Sequence, residues 1–111
     1  MQKIAKIIVE DSGTLCITIE SDTDSCINSS KTFILFFCGW RIKNSSGEIL
    51  TALFNDPRSE DDVFAILSGK KVKTIWYDKY DCKIETVDGY LIESFALHND
   101  IENKGFYIVD E

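Results

Sequence analysis

Apolar and polar residues alternate with a period of two along most of the chain, the spacing of strands that bury one face. In residues 14–20, Leu15, Ile17 and Ile19 fall on one side and Cys16, Thr18 and Glu20 on the other. The β-branched run 3–9 precedes it across Asp11, Ser12 and Gly13, and the two read as a hairpin. A polar loop at 21–31 leads to residues 32–38, apolar on both sides as expected of a strand covered from two directions. Gly39 beside Trp40 marks a bulge or bend. After a turn signal at 44–47, residues 48–54 read as a further strand, although Leu50, Ala52, Leu53 and Phe54 also suit a helix.

The period changes after Asn55. Asp56 before Pro57 is an N-cap followed by a proline at the first helical position, and Ser59 with Asp62 three residues on is a rival start. Either start predicts one short helix at about 57–68, stopped by Gly69 and burying Val63, Phe64 and Leu67 with Ile66 beside them. Beyond Lys70 the strand period returns. Val72, Thr74 and Trp76 alternate with Lys73, Ile75 and Tyr77; a polar turn at 78–81 follows, and then Cys82, Ile84 and Thr86 share a face. Asp88-Gly89 predicts a type I′ hairpin into a strand at 90–97, and residues 106–109 close the sheet after a polar connection. The expected fold is mainly β (α+β): two β-meanders forming an eight-stranded sandwich or open barrel, with one short helix, in a single domain over residues 1–111. Residues 4–20 echo residues 72–87, which suggests a pseudo-repeat of 1–54 and 70–111 joined by the helix.

Composition narrows the function classes. The 111 residues carry 12 Lys plus Arg against 19 Asp plus Glu, a formal charge of −7, which disfavours a general nucleic-acid binder and suits a basic protein partner. Residues 70–85 run against that balance, with Lys70, Lys71, Lys73, Lys79 and Lys83 close to Trp76, Tyr77 and Tyr80. Stacking of single-stranded nucleic acid is one reading of that stripe, and core packing with solvated lysines is the preferred one. The longest apolar stretch, 33–40, is far shorter than the roughly 20 residues of a spanning helix, so no membrane partner is expected. The N-terminal residues show no secretory pattern, and the expected compartment is the cytoplasm, with Cys16, Cys26, Cys38 and Cys82 as free thiols.

The residues also resemble a small bacterial β-rich family of unassigned function. The features that carry the likeness are Phe33 with its apolar strand, Trp40-Arg41-Ile42 before the Gly47 turn, Leu67-Ser68-Gly69-Lys70-Lys71-Val72, and Asp88-Gly89-Tyr90-Leu91, within residues 32–97. It departs at Leu97-His98-Asn99, where an aromatic is usual. The resemblance implies a fold more than an activity. In size and charge the chain is also similar to the immunity proteins of bacterial toxin systems, which implies a cytoplasmic inhibitor that plugs a toxin's active site.

Candidate chemistry is sparse. His98 is the one imidazole and sits in a polar loop; no nucleophile elbow or phosphate-cradling glycine loop is present, so no catalytic residues and no enzyme activity are expected. Zinc-ligand spacing is absent; Glu60, Asp61 and Asp62 suit a helix N-terminus, and Asp22 and Asp24 lack calcium-loop spacing, so neither metal nor cofactor is expected. What remains is recognition through aromatics and acids on hairpin tips. The partner-binding candidates are Tyr77, Asp78, Tyr80 and Asp81 on one turn with Asp88 and Tyr90 on the next; Glu10, Asp11, Asp22 and Asp24 come second. The expectation is a monomeric, non-catalytic protein-binding domain, an immunity-type inhibitor covering the active site of a basic toxin. The alternatives are a β-rich scaffold that self-associates through a strand edge such as 106–109, and a small-ligand binder with an apolar mouth near Trp40.

Overall fold

The computed structural model describes residues 2–10, 13–21, 30–35, 38–52, 60–78, 81–96 and 106–110, leaving aside the side chains of residues 38, 60, 61, 95, 96, 107 and 110. Among them are nine strands and one helix: β1 (Gln2–Glu10), β2 (Thr14–Ser21), β3 (Ser30–Leu35), β4 (Cys38–Lys43), β5 (Ile49–Ala52), α1 (Glu60–Leu67), β6 (Val72–Tyr77), β7 (Cys82–Thr86), β8 (Leu91–Ala96) and β9 (Phe106–Asp110). They form two antiparallel sheets, one of four strands in the order β1-β2-β3-β9 and one of five in the order β5-β4-β8-β7-β6. The fold is mainly β, an open sandwich with a short helix, as the alternation predicts.

Strand count and wiring differ from the expectation. The strand read at 32–38 ends at Leu35, and a further strand absent from that reading runs over Cys38–Lys43; the two belong to different sheets, since β3 pairs with β2 and β9, whereas β4 pairs with β5 and β8. Consequently the halves of the chain do not each build a meander. The first half contributes β4 and β5 to the larger sheet, and the second half returns β9 to the smaller one. Ladder pairing is a long-range choice that local alternation does not encode.

The core lies between the sheets. Ile4, Ile7, Leu15, Ile17, Ile19, Phe33, Leu35 and Phe106 face it from the smaller sheet, and Trp40, Ile42, Ile84 and Ile92 from the larger. Trp40 ties the two layers, because its buried indole Nε1–H donates to the Gly13 carbonyl at 2.8 Å. This removes it from the ligand mouth suggested by the sequence. Strand β6 crosses the smaller sheet rather than running along it. Lys71, just before it, bridges to Lys3 of β1, while Tyr77 at its far end packs edge-on against Phe33 of β3 and Phe106 of β9.

Helix α1 covers one open side with Val63 and Leu67 fully buried and Phe64 partly so. Ile66, expected beside them, points outward and is 46% exposed. The helix stops where Gly69 takes φ +88°, a left-handed conformation suited to glycine. The proposed caps at Asp56 and Ser59 lie outside the described residues.

Candidate functional site

The five described candidates, Tyr77, Asp78, Asp81, Asp88 and Tyr90, fall at opposite ends of the five-stranded sheet, since the connections entering and leaving β7 necessarily close opposite ends of that strand. The geometry therefore does not unite them into one patch. Tyr80 lies outside the described residues, as do Asp11, Asp22 and Asp24; Glu10 ends β1, exposed.

At the β7–β8 end the candidates hold the turn together. Thr86 N–H donates to Tyr90 O at 2.9 Å and Gly89 N–H to Thr86 O at 3.1 Å, so the loop is the three residues Val87-Asp88-Gly89, with Gly89 at φ +95°. That is a type I turn closed by a left-handed glycine, not the expected two-residue type I′ turn centred on Asp88-Gly89. The Asp88 carboxylate accepts from the Thr86 hydroxyl at 2.6 Å and from the Lys70 ammonium, whose Nζ also stands 4.7 Å from the centre of the Tyr90 ring. The hydrogen bonds from Lys70 and Thr86 hold the Asp88 carboxyl below its ordinary range. The β4–β5 turn beside it is built alike: Asn44 N–H donates to Glu48 O, Gly47 N–H to Asn44 O, and Gly47 has φ +84°. In both turns a side-chain oxygen of the first residue, Thr86 Oγ1 or Asn44 Oδ1, accepts the N–H four residues on, at 2.9 and 3.0 Å. The turns touch, for a Cβ at Gly89 would lie 2.9 Å from Ser45 Cβ.

At the β6–β7 end the side chains open toward solvent. Trp76 is 49% exposed and Tyr77 50%, and they point to opposite faces of β6, an edge strand of its sheet. Asp78 caps the turn, its Oδ1 accepting from Asp81 N–H at 2.8 Å while its own N–H donates to Asp81 O at 3.0 Å. Trp76 carries the Lys83 ammonium 5.8 Å from its ring centre. The sequence placed Val72, Thr74 and Trp76 on one face, but a register shift between Val72 and Thr74 breaks that series: Val72 is buried and Trp76 turned out. A bulge adds a residue without altering composition, so alternation does not reveal the outward facing of Trp76, whose exposure is close to that of Tyr77.

The outward face of the larger sheet is basic. Arg41 of β4 lies in register with Glu93 of β8, which in turn faces Lys83 of β7, and Lys73 comes within 4.0 Å of Glu85. Glu93 is largely buried beneath Arg41, to which it is ion-paired, and Lys43 at 3.1 Å. Burial acts to raise its pKa, and the hydrogen bonds from Arg41 and Lys43 outweigh burial and hold it below the ordinary glutamate value. Of the cysteines, Cys82 is buried in the core and Cys16 sits half-exposed on the smaller sheet, both as free thiols; desolvation and the nearby Glu10 raise the Cys16 pKa. Cys38 lies in β4, and Cys26 and His98 are outside the described residues. No described helix is long and apolar enough to cross a membrane.

The described residues also line a groove of 440 Å³ between β1 and α1 and a shallow hollow of 240 Å³ on the outer face of the smaller sheet. Both are open surface depressions. The β6–β7 corner is thus the place where candidate side chains stand exposed and close together, whereas the β7–β8 candidates are occupied in holding their turn. Comparison with known proteins leaves this geometry to speak for itself, for no protein-family model, no curated protein and no solved structure matches the chain.

Proposed function

We propose that this chain is a non-catalytic protein-binding domain, an immunity-type inhibitor that covers the active site of a basic bacterial toxin domain in the cytoplasm. The observation that carries the reading is the β6–β7 corner, where two half-exposed aromatics, Trp76 and Tyr77, adjoin Asp78 and Asp81 at the end of an edge strand. Aromatic side chains with large exposed area and few rotamers anchor protein interfaces, and flanking carboxylates speed encounter with a cationic surface. The framework beneath is suited to present them, since Tyr77 is braced by Phe33 and Phe106 with ring centres 6.3 and 6.1 Å away. Preorganisation of this kind lowers the ordering cost of binding.

The test is co-expression with the toxin domain encoded beside the gene. Protection of growth, together with a purified one-to-one complex lost on Trp76→Ala, is the expected result. Growth arrest despite abundant folded protein, or turnover of a substrate by the purified chain, contradicts the proposal.

A further inference from the structure

Strand β1 is the outer strand of the four-stranded sheet, and its far edge changes character halfway along. Ile4 donates its N–H to Lys70 O at 2.9 Å and accepts from Gly69 N–H at 2.7 Å. From Ala5 to Val9 the edge pairs with no strand among the described residues and instead lines the 440 Å³ groove, walled by Phe64, Ala65 and Ser68. Such an edge presents a row of backbone donors and acceptors that another strand satisfies.

The side chains indicate which strand. Lys6, Ile8 and Glu10 stand in succession on the outer face, where they line the shallow hollow, and both charged residues are exposed. A lone edge lysine discourages pairing. Here Glu10 supplies its counter-charge whenever two copies meet antiparallel with Ile8 opposite Ile8, because that register sets each Lys6 opposite the partner's Glu10 and each Ile7 opposite the partner's Val9. Registers centred on Lys6 or Glu10 place like charges face to face, and those centred on Ile7 or Val9 leave both charges without a counterpart. The same register extends an apolar row. Ile8 pairs with Cys16 and Cys16 with Ile34, all half-buried, and the second copy continues the row from its own Ile8.

We propose that the chain forms a two-fold dimer by antiparallel pairing of β1 with β1 of a second copy, in register about Ile8, making one continuous eight-stranded sheet. Two-fold contacts are self-complementary by construction, and the segment Lys6-Ile7-Ile8-Val9-Glu10 has that complementarity in its own sequence. The proposal is independent of the inhibitor reading, because it uses a different edge of the sandwich from the β6–β7 corner.

Sedimentation velocity at low salt across about 1 µM to 1 mM tests it. The wild-type chain is expected to show a concentration-dependent monomer–dimer equilibrium. Lys6→Glu, which turns both attractive pairs into Glu–Glu oppositions, is expected to weaken it about tenfold. Glu10→Lys is expected to do the same, and the double variant K6E/E10K to restore the wild-type constant. Circular dichroism checks that these exposed substitutions leave the fold intact. A wild-type chain monomeric throughout the range, a dimer indifferent to Lys6→Glu, or a double variant as weak as the singles would each overturn the proposal.

Discussion

Individual residues set the terms at the turns and in the buried polar positions. Gly89 is fixed twice, by a φ of +95° and by the approach of Ser45 to 2.9 Å of where a Cβ would sit, whereas Gly47, at φ +84°, faces open space. Gly89→Ala is therefore expected to cost about 2–3 kcal/mol and Gly47→Ala about 1 kcal/mol, measured by urea denaturation. Equal losses would show that the contact between turns carries no energy. Ser94 makes a comparable point about hydrogen bonds. Its buried hydroxyl accepts from Cys82 N–H at 2.8 Å, so Ser94→Ala removes a buried hydrogen bond and is expected to cost about 1 kcal/mol. Glu93 links charge to pH. A carboxyl whose folded-state pKa lies below its ordinary value near 4.5 contributes stability that is present above that value and lost as pH falls through the folded-state one. Glu93→Gln is expected to be less stable than the wild type by about 1–2 kcal/mol at neutral pH, Arg41 being partly exposed, and the gap should close on acidification. A gap that widens in acid would contradict the assignment.

Among the elements, those with one clean face were legible from the chain alone. Leu15, Ile17 and Ile19 of β2 are buried as alternation requires, and so are Cys82, Ile84 and Thr86 of β7. Gly69 ends the helix as read, and the Asn44–Gly47 turn is where it was placed. What alternation could not deliver is any feature that adds or divides residues without changing their character. The run from Phe33 to Trp40 is apolar apart from Gly39, so the division between two sheets that falls within it leaves no polar gap to read. The shift in β6 inverted the facing of Trp76, and the three-residue loop at Val87-Asp88-Gly89 moved Asp88 out of the position an Asp-Gly pair implies. Candidate site residues suffered most from this. Asp88 and Tyr90 were chosen because acids and tyrosines mark tips, yet they engage Lys70 and hold their turn, an arrangement set by residues 18 and 20 positions away. Asp78 is similarly employed as a cap, which leaves Asp81 as the cleaner probe of charge at the β6–β7 corner.

At the scale of the whole molecule, charge and architecture diverge. The chain carries −7 overall, while the outer face of its larger sheet collects Arg41, Lys43, Lys73 and Lys83. A cationic partner is therefore expected to meet that face only at its margin, at the corner where Trp76 adjoins Asp78 and Asp81, guided by a field that salt screens over about 10 Å at 0.1 M. The central claim is that this corner grips a basic protein, and the association rate with the neighbouring toxin domain tests it most directly. Stopped-flow mixing at low and high salt, with wild-type chain and Asp81→Lys, is expected to give fast, salt-sensitive association for the wild type and association about tenfold slower for the variant at low salt. Identical rates for the two proteins at low salt, or the absence of any complex with that domain, would contradict it.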